Sequence, residues 1–132
     1  MSTMLLFPGQ GAQAVGMGRE LAEGLAVCRG LFERASGVLE LDLLKLCAEG
    51  PIEELTKSSH AQPAIFTVSV AARAALAQEA GGTLAVAGTA GHSLGEWAAL
   101  YEAGVVSYED AVRILKASGQ FMQEACEAAP GG

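Results

Sequence analysis

The period of the apolar positions changes several times along the chain. Residues 3–7, Thr-Met-Leu-Leu-Phe, form a short apolar run closed by Pro8-Gly9, the mark of a buried strand. Gly9-Gln10-Gly11 then predicts a tight turn. From about Met17 to Val27 the spacing becomes helical, with Leu21 and Leu25 four apart. Residues 30–39 predict a second helix, weakened near its end by Gly37. Leu41 to Cys47 reads as a short helix with Leu43, Leu44 and Leu46 inward. Gly50-Pro51 breaks it, and Pro51 suits the first turn of another, Pro51 to Lys57. The longest helical pattern covers residues 61–80, where Ile65, Val68, Ala72, Ala75 and Leu76 recur at three and four. Gly81-Gly82 stops it, and residues 83–90, TLAVAGTA, predict a second buried strand. A helix from Glu96 to Ala103 follows, closed by Gly104. Ser107 is placed to cap a last helix from Tyr108 to about Ala128, with Asp110 in a capping-box-like position. Pro130-Gly131-Gly132 is expected to lie outside regular structure.

Two strands, each buried and each followed by a helix, do not make a stable sheet, which normally needs three or more. The pattern therefore implies a part of a larger domain, with the remaining strands supplied by further sequence or by a second chain.

Composition narrows the function classes. The chain has 132 residues, 51% of them hydrophobic, enough for a core. Eight Lys/Arg stand against fifteen Asp/Glu, a formal net charge of -7. Nucleic acid and anionic membrane surfaces are therefore poor partners. No apolar run reaches the length of a membrane span. The N-terminus lacks a basic segment and does not read as a signal peptide. Cys28, Cys47 and Cys126 show no CxxC spacing, so neither a disulfide framework nor a zinc site is expected. They read as buried or half-buried thiols in a reducing compartment, hence a cytoplasmic protein.

Candidate chemistry sits at Gly91-His92-Ser93-Leu94-Gly95, a GxSxG pattern. Glycine fills 17 positions, so the pattern alone is cheap. Its context gives it weight: TLAVAGTA supplies a strand before it and GEWAAL a helix after it, the setting of a nucleophile elbow. Ser93 would sit at the bend. The Leu94 backbone N–H, near a helix start, would face a developing oxyanion. The bland alternative is a glycine-rich turn with a capping serine. A second donor must come from another loop, and Pro8-Gly9-Gln10-Gly11 also joins a strand to a helix. In a parallel sheet both turns lie at the same edge, which makes the Gln10 N–H the candidate. GQGAQAVG lacks dinucleotide-loop spacing, and Met17-Gly18 stands where a phosphate loop needs Lys-Ser/Thr.

Four motifs in order resemble one family: Phe7-Pro8-Gly9-Gln10-Gly11-Ala12-Gln13, Gln62-Pro63-Ala64, Gly91-His92-Ser93-Leu94-Gly95-Glu96 and Phe121-Met122-Gln123-Glu124-Ala125. The chain is similar throughout to the malonyl-CoA:acyl-carrier-protein transacylases and the acyltransferase domains of fatty-acid and polyketide synthases. The resemblance implies an α/β fold, a hydrolase-like parallel-sheet core flanked by helices in three layers, here without the ferredoxin-like small subdomain and later strands. Residues 1–132 would be the N-terminal part of one catalytic domain. It implies a ping-pong reaction in which Ser93 takes a malonyl or other short acyl group from coenzyme A and passes it to the phosphopantetheine thiol of acyl carrier protein. Coenzyme A thioester enters as substrate, and neither cofactor nor metal is implied. Gln10 and Leu94 would give the oxyanion donors. Gly91, His92 and Gly95 would shape the elbow, with His92 not the base.

Two departures bear on this expectation. The family's base is a histidine far beyond residue 132, and the chain holds only His60 and His92. Adjacent extended side chains point to opposite faces, so His92 is not placed to serve Ser93. His60, before the QPAIF helix, reads as a surface or capping residue. The missing half could be a separate chain. Secondly, the family places an arginine for the malonyl carboxylate before the glycine of the last helix's motif, where this chain has Ser118-Gly119. A guanidinium grips a carboxylate through two parallel hydrogen bonds; burying the carboxylate without a partner costs about 3–5 kcal/mol. Two further readings therefore stand beside the transferase: an acyl hydrolase of relaxed selectivity, and a non-catalytic fragment or half of a split enzyme.

Overall fold

The computed structural model describes residues 3–82 and 84–129. Strand β1, Thr3–Phe7, opens the chain. Five helices follow: α1 (Arg19–Gly24), α2 (Ala26–Leu39), α3 (Leu43–Glu49), α4 (Ile52–Leu55) and α5 (Ser58–Glu79). Strand β2, Val86–Gly91, then returns parallel to β1, and α6 (Gly95–Glu102) and α7 (Tyr108–Ala128) complete the order. This is the α/β arrangement expected from the sequence.

The core lies where α2, α5 and α7 meet. Phe66 of α5 stacks on Tyr108 of α7 with ring centroids 5.5 Å apart, and Tyr101 of α6 meets both edge-on. The buried Tyr108 hydroxyl donates to the Leu31 carbonyl of α2 at 2.8 Å. One phenol therefore ties three helices together. Arg34 lies over the same ring, 4.7 Å from its centroid, and pairs with Glu109 at 2.7 Å. Arg73 of α5 reaches Glu102 of α6 at 2.9 Å.

Several elements differ from the sequence expectation. The helix anticipated over Met17 to Val27 is broken at Leu25, whose extended backbone (φ -132°, ψ 123°) separates α1 from α2. Both strands were expected to be buried. Leu5 and Phe7 do face the helices, but Met4 and Leu6 are 56% and 76% exposed. The helices cover one face of the two-stranded sheet and leave the other bare. Leu43 is buried in α3 as expected, with Cys47, while Leu44 and Leu46 are half-buried. Helix α5 begins at Ser58 rather than residue 61, and Ala72 and Leu76 on its anticipated apolar face are exposed. Cys28 and Cys47 are buried, but Cys126, near the end of α7, is exposed rather than buried or half-buried. Ser107 caps α7 by accepting from the Asp110 N–H at 3.2 Å, whereas the Asp110 carboxylate turns to Arg113 at 2.9 Å. Only half of the capping box forms. The second strand begins at Val86, and residue 83 and Pro130-Gly131-Gly132 lie outside the described residues.

No helix among the described residues is long and apolar enough to cross a membrane.

Candidate active site

The two glycine turns leave the sheet side by side. Register pairs Phe7 with Gly91, so the chain exits both strands at the same edge. The His92 N–H continues the ladder to the Phe7 carbonyl at 3.1 Å. Beyond that point side chains have no room. A Cβ on Gly9 would stand 2.7 Å from the His92 carbonyl oxygen and 3.3 Å from the Ser93 Cβ. One on Gly95 would meet the Phe7 carbonyl, and one on Gly91 the backbone of Gly95 and Glu96. Gly9, Gly91 and Gly95 are therefore required by backbone crowding, whereas Gly11 has open space around it and is set apart by its left-handed φ of 111°.

Ser93 stands at that bend with φ 57°. A left-handed conformation in a non-glycine residue costs roughly 1–2 kcal/mol. Glu40 shares it (φ 59°), but as the residue ending α2, where such geometry is ordinary. At Ser93 the strain sits between strand and helix and leaves the side chain exposed. The Ser93 and His92 carbonyls accept from the Glu96 and Gly95 N–H groups at 3.0 and 2.9 Å, locking the bend onto α6.

The two expected donors have no protein acceptor: among the described residues neither the Gln10 N–H nor the Leu94 N–H makes a hydrogen bond. Leu94 is buried, and buried amides are nearly always paired. Its free N–H opens α6, where the helix dipole favours negative charge. The Gln10 turn is closed by the Ala12 N–H to the Gly9 carbonyl at 3.3 Å and by the Gly11 N–H to Gln13 Oε1 at 2.8 Å.

No hydrogen bond among the described residues joins either histidine to Ser93. His92 is exposed, and its Nδ1 lies beside Gly9. His60 contacts the Glu54 carbonyl through Nδ1 at 2.9 Å, bracing the corner between α4 and α5. The Glu54 carboxyl is held below the usual carboxylate range by its hydrogen bond from Lys57. Among the described residues no cluster of His, Cys, Asp and Glu could hold a metal ion.

Ser118 lies half-buried in α7, directly before Gly119, where an added Cβ would collide with the Ser58 carbonyl and stand 2.7 Å from the Ser59 Cα. Among the described residues, neither Arg113 nor Lys116 is placed to offer a cation at Ser118. Arg113 is exposed and paired with Asp110, and Lys116, two residues from Ser118, is on nearly the opposite side of the helix.

Sequence reasoning missed one polar bridge. Gln10 Nε2 donates to Ser58 Oγ at 3.1 Å, and the Ser58 N–H donates to Gln123 Oε1 at 3.2 Å. The bridge joins the first glycine turn to α5 and α7. Glutamines in two of the motifs were its only sequence signal.

A family profile for the acyl transferase domain matches residues 4–132. The malonyl CoA-acyl carrier protein transacylase of Escherichia coli K12 is 46% identical over 120 residues, which are 91% of this chain and 38% of that protein. A protein of the same name from Bacillus subtilis is 47% identical over 126 residues, 96% of this chain and 39% of that one. Among solved structures, an acyl carrier protein S-malonyltransferase from Vibrio cholerae superposes with a TM-score of 0.85 at 45% identity, covering 92% of this chain and 39% of the other. A malonyl-transacylase solved in complex with a type II PKS acyl-carrier protein gives 0.86 at 44% identity, covering 95% and 40%. The chain thus spans about two fifths of the length of these relatives. With the profile matching almost every residue and both glycine turns folded against each other, the chain belongs to the acyl transferase domain family.

Proposed function

We propose that residues 1–132 are the N-terminal part of one acyltransferase catalytic domain and carry its nucleophile and oxyanion donors. The observation that carries this reading is Ser93 in a left-handed bend where two glycine turns pack together, each turn holding an unpaired amide, that of Gln10 or Leu94. Strain at a serine between strand and helix fits a nucleophile elbow.

In the first half-reaction Ser93 Oγ attacks the carbonyl carbon of an acyl-CoA thioester. The amides stabilise the negative oxygen; the C–S bond then breaks and coenzyme A leaves as thiol. In the second, the phosphopantetheine thiol of acyl carrier protein attacks the Ser93 ester, and the C–O bond breaks to restore the hydroxyl. The proton removed from Ser93 needs a base. The family resemblance implies a histidine beyond residue 132 as that base. The relatives named malonyl CoA-acyl carrier protein transacylases and the solved complex with an acyl-carrier protein support these substrate and partner classes.

Ser118 favours a second reading for the acyl group. Without a guanidinium, a malonyl carboxylate loses its charged partner. A neutral short acyl group is then the better substrate, and hydrolysis of such groups is the alternative outcome. The test is to supply the intact protein with malonyl-CoA or acetyl-CoA, with and without holo acyl carrier protein. Acyl carrier protein loaded from either thioester supports transfer. Free acid released at the same rate without carrier supports the hydrolase, and neither product refutes both.

A further inference from the structure

Ser58 is held from three sides although it lies outside every motif that carries the family resemblance. Its hydroxyl accepts from Gln10 Nε2 at 3.1 Å, across 48 residues of sequence. Its N–H, one of the helix-opening amides that have no partner within α5, donates to Gln123 Oε1 at 3.2 Å. Its carbonyl lies against Gly119, where any side chain would collide. Ser58 is buried, and α5 behind it is a 22-residue helix through the core. It is a rigid post.

The Gln10 turn needs such a post. Its other hydrogen bonds, to Gly9 and Gln13, stay inside the turn, and Gln10 is exposed. Among the described residues, the Gln10 side chain gives residues 9–13 their one hydrogen bond to the helical layer; the next anchor along the loop is the Gly16 N–H on the Cys47 carbonyl of α3, at 2.8 Å. An oxyanion donor works only when it stands about 2.7–3.1 Å from the developing charge. A misplacement of about 1 Å can cost on the order of 100-fold in rate.

We propose that Ser58 is a positioning residue: through the Gln10 side chain it fixes where the Gln10 amide stands relative to Ser93. This rests on the acyl-transfer reading above.

The test measures single-turnover acylation of Ser93 by acetyl-CoA or malonyl-CoA in the intact protein, together with the amide resonance of Gln10. Ser58→Ala is expected to slow acylation at saturating thioester by about 10- to 100-fold, within the range for a displaced donor. The half-saturating concentration stays unchanged, and the Gln10 resonance shifts. Ser58→Thr keeps the hydroxyl and restores both rate and resonance. Gln10→Ala cuts the same bond from the other end, so the double variant is no slower than the slower single one. A parental rate or an unmoved resonance in Ser58→Ala overturns the proposal and leaves Ser93 acylation standing. If Ser58→Ala does not fold, Gln10→Ala decides, and a parental rate there overturns it equally. A parent protein that is never acylated at Ser93 overturns the acyl-transfer reading, and the role of Ser58 falls with it.

Discussion

Gly9 and Ser93 are in contact across the two turns: a Cβ added at Gly9 would lie 3.3 Å from the Ser93 Cβ and 2.7 Å from the His92 carbonyl oxygen. The contact joins positions 84 residues apart (93 − 9) and sets the turn that carries Gln10 against the Ser93 bend. It also explains the FPGQG and GHSLG motifs together, since each supplies a glycine that the other's backbone requires.

Gly9→Ala must therefore push the turns apart, because the colliding atom is a backbone oxygen with nowhere to move. A loss of about 1–3 kcal/mol in urea unfolding is expected, the usual cost of overpacking, and Ser93 acylation should fall with it. Gly88→Ala is the control. Its Cβ would meet only the end of the exposed Met4 side chain, at 3.2 Å from Sδ. Removing a strand glycine there should be neutral or stabilise by up to about 1 kcal/mol. Equal effects at the two positions would contradict the crowding account.

The core carries a signature at alkaline pH. Burial pushes the Cys47 thiol from about 9 up to about 12. Burial likewise moves the Tyr108 phenol from about 10 to about 12. The unfolded chain loses these protons first, so above pH 9 it binds fewer protons than the folded chain. Stability is full below about pH 9 and falls as pH rises to about 12, by roughly 1.4 kcal/mol per pH unit for each group in its window. Cys47→Ala should make the decline between pH 9 and 10 shallower, while the Tyr108 contribution above pH 10 remains. Urea unfolding at a series of pH values reads this directly. A parent protein equally stable at pH 8.5 and 11 would contradict it.

Position 118 should set acyl selectivity. Ser118→Arg supplies the guanidinium that the four-motif resemblance leads one to expect before Gly119. The malonyl-to-acetyl ratio of kcat/KM should rise at least about 10-fold, the equivalent of 1.4 kcal/mol of differential binding. An unchanged ratio would mean that residue 118 does not face the acyl group.

The parts legible in the sequence were those with local punctuation. β1 ends where Pro8-Gly9 forbids continuation, and α7 runs Tyr108–Ala128 because Ser107 caps it. The break at Leu25 was hidden by apolar residues four apart, Leu21 and Leu25, that carry a helical period across it; the isolated Gly24 was its one signal. The bare face of the sheet was hidden for a related reason. Met4 and Leu6 are as apolar as Leu5 and Phe7, so the pattern could not say which face these helices cover. The turn geometry around Ser93 was readable because glycines mark it. The Ser58 bridge was not, since a serine and two glutamines up to 113 residues apart (123 − 10) carry no period or spacing.

The central claim is that Ser93 is the acylated nucleophile. The most direct measurement incubates the intact protein with malonyl-CoA and, separately, acetyl-CoA, quenches in acid, and maps the adduct by peptide mass spectrometry, with Ser93→Ala alongside. The account predicts an acyl group on the peptide containing Ser93 from at least one thioester and none in Ser93→Ala. No adduct from either thioester, or an adduct that persists in Ser93→Ala, would contradict it.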